Sequence, residues 1–249
     1  MRLARQTAWT LALCVCGAAF GTVAQAQDEQ ATRMKTALAS PNRPQADKDR
    51  DAARKPIETV QFLGIKTGQS VIDVIAFGGW FTEVLSAAVG PSGKVYGQNP
   101  DFFTSREGFA AAEKTKDDRL GNVTPVHGEL AAAGVKGVDA ALTALNMHDI
   151  YNSQGEAGAV ALAKGVFDAL KPGGVFGVID HVGIAGQDNA KFHRIQLQQA
   201  KDVLTKAGFK IEAESKILAN PADDHTKGVR DPSVAGHTDQ FIIRARKPG

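Results

Sequence analysis

From about Val71 to Phe209 the chain alternates between short β-branched runs and stretches whose apolar residues recur every three to four positions. Val71–Ala76 (VIDVIA) is apolar at nearly every position, the pattern of a strand buried on both faces. Trp80, Phe81, Val84, Leu85 and Ala88 then fall on one face of a helix. Lys94–Gly97, Asn122–Val126, Val138–Leu145 and Val175–Asp180 read as further strands, with Pro125 suited to a sheet edge. Glu156–Leu170 and Ala190–Ala207 read as helices, the first stopped by Lys171-Pro172-Gly173-Gly174. Strands that alternate with helices imply a mainly parallel sheet covered on both faces, an α/β fold. Phe209–Glu214 and Gln240–Arg244 have no helix between them, so they are expected to close the sheet as an antiparallel pair.

Upstream of the first strand, Ala53, Ile57, Val60 and Leu63 predict one helix starting near Asp47 and ending at Gly64. The segment before it, from Gln27, is polar and holds Pro41 and Pro44. It reads as a loosely held arm with a short helix over Ala31–Leu38. The first 26 residues have the make-up of an export signal: Arg2 and Arg5, the apolar stretch Ala8–Phe20, and Ala24-Gln25-Ala26 before a cut. That stretch is shorter than the roughly 20 apolar residues a membrane span needs. The expected organisation is a signal peptide over 1–26, an arm over 27–46 and one domain over 47–249, acting in the periplasm or secreted. Both cysteines, Cys14 and Cys16, lie in the signal, which excludes disulfides and a cysteine nucleophile from the mature chain. The 29 Lys and Arg face 27 Asp and Glu. Losing Arg2 and Arg5 makes the two counts equal, so the excess of base that marks a nucleic-acid binder is missing.

In an open α/β sheet, ligands bind beyond the carboxyl ends of the strands. The residues that follow the predicted strands are therefore the candidates: Phe77, Gly78 and Gly79; Gln98, Asn99 and Asp101; His127 and Glu129; Asn146, His148 and Asp149; Asp180 and His181. Glycine in the first turn lets backbone approach a ligand, and the helix that follows offers unpaired N–H groups.

Several segments, in order, resemble the class I S-adenosylmethionine (SAM) dependent methyltransferases, and more narrowly an exported bacterial group of them. They are Asp51–Pro56 (DAARKP), Val71–Leu85 (VIDVIAFGGWFTEVL), Gly93–Asp101 (GKVYGQNPD), Val138–Asp149 (VDAALTALNMHD), Leu170–His181 (LKPGGVFGVIDH), His193-Arg194-Ile195, Asn220–His225 (NPADDH) and Thr238–Phe241. The resemblance implies a Rossmann-like seven-stranded, mostly parallel sheet with the last strand antiparallel, and SAM lying across the strand ends. It places Asp73, Phe77, Gly78 and Gly79 on the cofactor loop, Asn99 at the ribose, Glu129 near the adenine and Asn146 facing donor and acceptor. It also implies an acid-x-Gly-x-Gly-x-Gly loop from Asp73, whereas this chain has Ile75 and Phe77 at two of the three glycine positions. Asn99 stands where a carboxylate is usual, and the neutral amide lacks its charge and paired acceptors.

Three functions fit this set. In the first, a SAM-dependent methyltransferase acts on a small molecule, with His148 or His181 as base and Asp149 or Asp180 orienting it. In the second, His148, Asp149, Asp180 and His181, with His127 and Glu129 on the same edge, serve a metal-dependent enzyme. In the third, the pocket of a degenerate methyltransferase fold binds another small molecule without catalysis. All three have a small-molecule partner and expect neither nucleic acid nor lasting membrane attachment after cleavage. Pro221–His225 reads either as a lid over the pocket or as a solvated loop.

Overall fold

The computed structural model describes residues 16–104 and 119–249. Arg2, Arg5, Cys14 and the start of the apolar leader stretch lie outside them. Seven strands form one sheet in the order β3-β2-β1-β4-β5-β7-β6. They are β1 (Ser70–Val74), β2 (Lys94–Asn99), β3 (Val123–His127), β4 (Val138–Ala144), β5 (Leu170–His181), β6 (Lys210–Ser215) and β7 (Gln240–Arg246). β1 pairs in parallel with both β2 and β4, and β4 in parallel with β5. β7 is antiparallel to β5 and to β6. The expected sheet is present, with Pro125 on the edge strand β3 opposite Gly97. At the other rim β6 alternates outward Lys210, Glu212 and Glu214 with half-buried residues.

Apolar layers cover both faces. One gathers Ile72, Val74, Phe176 and Val178 against Ala163, Val166, Val203 and Leu204; the other gathers Val71, Val95, Leu142 and Ile242 against Val60, Leu63, Val84 and Leu85. The inner strands β1 and β4 are buried almost throughout because helices close both sides, which is why their sequence carries no two-residue alternation. Among the described residues no helix is long and apolar enough to cross a membrane.

Three expectations are corrected. The arm is not loosely held. Helix α1 (Cys16–Leu38) runs through it and packs on α5 (Trp80–Val89). Met34 and Leu38 are buried there, while Gln30 and Arg33 donate to the Ala87 and Ala88 carbonyls at the end of α5. Those carbonyls have no partner within their own helix, so the arm supplies what the helix end lacks. Arg43, fully buried, adds a paired bond to Asp51. Second, the single helix predicted from Asp47 is three pieces: α2 (Gln45–Lys48), α3 (Asp51–Arg54) and α4 (Pro56–Leu63). One break falls at Asp49-Arg50, and the other at Lys55, whose φ of 42° is left-handed. Proline tolerates a first helical turn but disfavours helical backbone in the residue before it. Third, the helix predicted over Ala190–Ala207 is split into Asn189–Phe192 and Leu197–Lys206. Between them His193 is left-handed (φ 54°) and Ile195 bridges to Val182. By contrast, the helix Met147–Ala169 breaks at Gly155, so Glu156 does begin a helical segment as its pattern implies.

Candidate functional site

β1 ends two residues earlier than its apolar run because Ile75 leaves the extended region. Ile75, Phe77 and Gly79 all have left-handed backbone, with φ of 57°, 48° and 69°. These are the three positions at which the resemblance implies glycine. The chain therefore follows a glycine path with side chains on it, and for a β-branched residue such as Ile75 that is a rare conformation. Neighbouring polar groups hold it in place. From β2, Gln98 Oε1 accepts from the Ile75 N–H (3.0 Å), the Gln98 carbonyl accepts from the Ala76 N–H (2.8 Å), and Asn99 Oδ1 accepts from the Phe77 N–H (2.7 Å). From the β4 side, Thr143 donates to the Val74 carbonyl and Asn146 to the Ile75 carbonyl. A strained loop persists where its surroundings over-determine it, and such loops concentrate at functional sites.

The loop borders a cavity of about 360 Å³ at the carboxyl ends of β1 and β4. Asp73, Phe77, Gly78 and Asn146 from the predicted set line it. Ile75, Ala76, Trp80, Phe81, Ala144, Leu145, Arg50 and Arg54 complete the wall. Among the described residues, a side chain at Gly78 would meet nothing within 4 Å. Phe77 is 52% exposed and stands beside the cavity rather than filling it. Trp80 is buried, donates from its indole to the Asp47 carbonyl, and carries the Arg54 guanidinium 4.8 Å above its ring. Burial, with the charge of Arg50, lowers Arg54 to about 10, so it stays cationic at neutral pH. Its guanidinium makes no hydrogen bond or ion pair to another described residue. Asp73 is buried on the same wall and accepts from Thr82 Oγ1 at 2.6 Å. The cavity thus presents a carboxylate and a guanidinium together.

The arginines were missed in the sequence because they precede β1 and reach the strand ends only through the fold. Arg50 and Arg54 lie in or beside the quoted DAARKP segment, which carried the one available signal.

His148, Asp149, Asp180 and His181 do come together, but beside this cavity and not in its wall. Asp180, at the end of β5, has no exposed surface. It accepts from the His148 N–H (2.8 Å), from the His181 N–H (2.8 Å) and pairs with His148 Nδ1 (2.6 Å). Burial alone would lower His148, but Asp180 and Asp149 outweigh it and push it up to about 10. Burial would raise Asp149, yet its bonds to His148 and His193 bring it down to about 2. His181 goes the other way, to about 4, because it is buried and the nearby cations add to that cost. Its Nδ1 meets Thr238 Oγ1 at 2.7 Å. His193 joins the group through Nδ1, 2.9 Å from Asp149. It was not singled out as a candidate because the sequence pattern placed it inside a helix.

The remaining candidates lie elsewhere. Asn99 is buried behind the loop and outside the cavity wall, as is Gly79, which begins α5. His127 and Glu129 are exposed at the β3 rim, three strands from β4. Pro221–His225 is neither a lid over the cavity nor a merely solvated loop. Its Asp223 is buried and holds both guanidinium nitrogens of the equally buried Arg194, at 2.9 and 3.1 Å.

Comparison with solved structures places this geometry. The chain is similar to a SAM-dependent methyltransferase from Aquifex aeolicus, with 19% identity over 87% of this chain and 97% of that one, at a TM-score of 0.58. The cyclase SpnF gives 21% identity over 79% and 81% of the two chains, at 0.56. A SAM-dependent O-methyltransferase from Thermotoga maritima gives 22% over 79% and 65%, at 0.52. The fold is that of the class I methyltransferases. No family profile and no curated relative matches the sequence. At such identities the likeness concerns the fold, and one of the three carries the name of a cyclase on it.

Proposed function

We propose that this protein is a SAM-dependent methyltransferase of a small molecule, working outside the cytoplasm after removal of its first 26 residues. The observation that carries the reading is the left-handed backbone at 75, 77 and 79 beside a cavity holding Asp73. The path that glycines would allow is kept although two of the glycines are gone, at a strain of about 1–2 kcal/mol for each side chain. The cavity also suits one end of SAM. An amino-acid moiety carries an ammonium and a carboxylate, and Asp73 and Arg54 offer the complementary charges. Glycine at position 78 carries no side chain to keep a ligand from the backbone. Asn146 braces the loop from the acceptor side through its Nδ2. When bound, SAM supplies an electrophilic methyl group on a sulfonium, and the protein's part is to position donor and acceptor.

Export is supported by where α1 is anchored. Ala24-Gln25-Ala26 is exposed, and Gln30, Arg33, Met34 and Leu38, which hold the helix to the domain, all follow the cut. Titration calorimetry of the purified chain with SAM tests the function. Saturable heat is expected, weakened tenfold or more by Asp73→Asn, and no heat at millimolar SAM rejects it. Phe77 favours a second reading, a non-catalytic binder of a zwitterionic small molecule, because it puts an aromatic face where a glycine loop would be bare. That reading expects an unidentified amino-acid-like ligand in mass spectra of gently denatured protein and no response to SAM.

A further inference from the structure

His148, Asp149 and His193 bring three ligand atoms within 4.8 Å of one another beside the cavity. His148 Nε2 lies 3.2 Å from Asp149 Oδ1, and His193 Nδ1 lies 2.9 Å from the same carboxylate. Donor atoms each about 2.1 Å from a common ion are themselves roughly 3–3.5 Å apart, so two of the three separations already match a shared ion. We propose that these three side chains bind one divalent transition-metal ion.

Four observations carry the assignment. The donor set, two imidazoles and one carboxylate, is one that zinc, manganese, iron and cobalt accept. His148 is held as a ligand should be. Its Nδ1 faces the buried Asp180 at 2.6 Å, which turns Nε2 toward Asp149. A carboxylate behind a histidine in this manner fixes the ring and its tautomer and strengthens it as a donor. A metal ion would take the place of the Nε2 proton that now lies between His148 and Asp149, with Nε2 and the carboxylate oxygen already 3.2 Å apart. Third, His193 is delivered by a costly backbone. It is left-handed, and the adjoining Arg194 is locked to Asp223 with neither side chain exposed. A surface histidine with no task needs no such anchor. Fourth, the site is open on one side. His148 is buried, but half of the Asp149 side chain and 35% of the His193 side chain are exposed. Three protein ligands with open positions toward solvent is the arrangement of a metal that takes a further ligand. Met147 alone separates His148 from Asn146, which lines the cavity, so such an ion stands at the rim of that cavity.

The site differs from the one the sequence pointed to. Asp180 and His181 stand behind the ligands, their groups taken by His148 and Thr238, and His127 and Glu129 lie at the far rim.

The test uses the full chain, freed of metal with a chelator, and Co²⁺ alone as probe, without SAM. Visible absorption and calorimetry are expected to show one saturable Co²⁺ site. His193→Ala and Asp149→Ala, both at exposed side chains, are expected to weaken it tenfold or more while the thermal transition is kept. Asp180→Asn, a positioning change, is expected to weaken it less. His127→Ala, at the exposed β3 rim three strands from β4, leaves it unchanged. Absence of saturable binding at hundredfold excess of Co²⁺, or binding indifferent to His193→Ala in a folded variant, overturns the proposal. Because no SAM is present, either result stands apart from the outcome of the SAM titration.

Discussion

Two clusters sit side by side on one edge of the sheet and are built on opposite plans. At the end of β1, strain lies in the backbone: Ile75 and Phe77 are held left-handed by Gln98, Asn99 and Asn146, and a cavity opens beside them. At the ends of β4 and β5, the side chains close on one another, Asp180 to His148, His148 to Asp149, Asp149 to His193. The first plan leaves room for a molecule of some size. The second draws three ligand atoms within 4.8 Å of one another. The support differs as well. The loop is braced by amides on the neighbouring strands, whereas His193 depends on Arg194 and Asp223, 29 residues apart in the chain.

The strongest way to break the second cluster is to cut that support. Arg194→Leu leaves the Asp223 carboxylate buried without its partner, a loss of about 3–5 kcal/mol. Urea unfolding is expected to show that loss, with Co²⁺ binding abolished in any variant that remains folded. A retained Co²⁺ site would separate His193 from its anchor. In the first cluster, Ile75→Gly tests whether strain or packing dominates. Relief of left-handed backbone returns about 1–2 kcal/mol, while emptying a buried aliphatic site costs about 2–5. A net destabilisation of about 1–3 kcal/mol is expected in the same assay, and a gain in stability would mean that strain outweighs the buried side chain. Arg54→Ala should act mainly on ligand. SAM affinity is expected to fall tenfold, about 1.4 kcal/mol, while stability falls by only about 0.5–1 through the lost stacking on Trp80. Equal SAM affinity would remove Arg54 from the binding wall. Phe77→Gly is the mildest. Its half-exposed ring gives up little packing, so relief of strain is expected to raise stability by about 0.5–1 kcal/mol, with SAM bound more tightly. Weaker SAM binding in that variant would instead make the ring part of the binding surface, favouring the reading as a binder of another ligand.

Much of this was legible in the sequence because the sheet is governed by local pattern. Val71–Ala76 and Val138–Leu145 are apolar without alternation, and only a strand covered on both faces tolerates that. Asp73, Phe77, Gly78 and Asn146 could be placed because they follow such strands directly. Arg50 and Arg54 could not, since nothing in their spacing tells that α2 and α3 fold back over the strand ends. His193 was hidden by its own neighbours. The helical pattern reads straight through it from Ala190 to Ala207, and the pairing of Arg194 with Asp223 next to it is invisible to any local window. Asn99 illustrates a third limit. Its position after β2 was read correctly, but its bond to the Phe77 backbone is one that only coordinates could show.

The two rims of the sheet have a consequence for the company the protein keeps. One ends in a strand interrupted by Pro125, which has no N–H to offer a newcomer. The other ends in a strand studded with Lys210, Glu212 and Glu214, whose charges a flat added strand would have to accommodate. Both margins turn away edge-to-edge pairing, so the sheet stops at seven strands instead of templating the next chain. For a protein proposed to work outside the cytoplasm among its own copies, that built-in stop guards against the most direct route to aggregation.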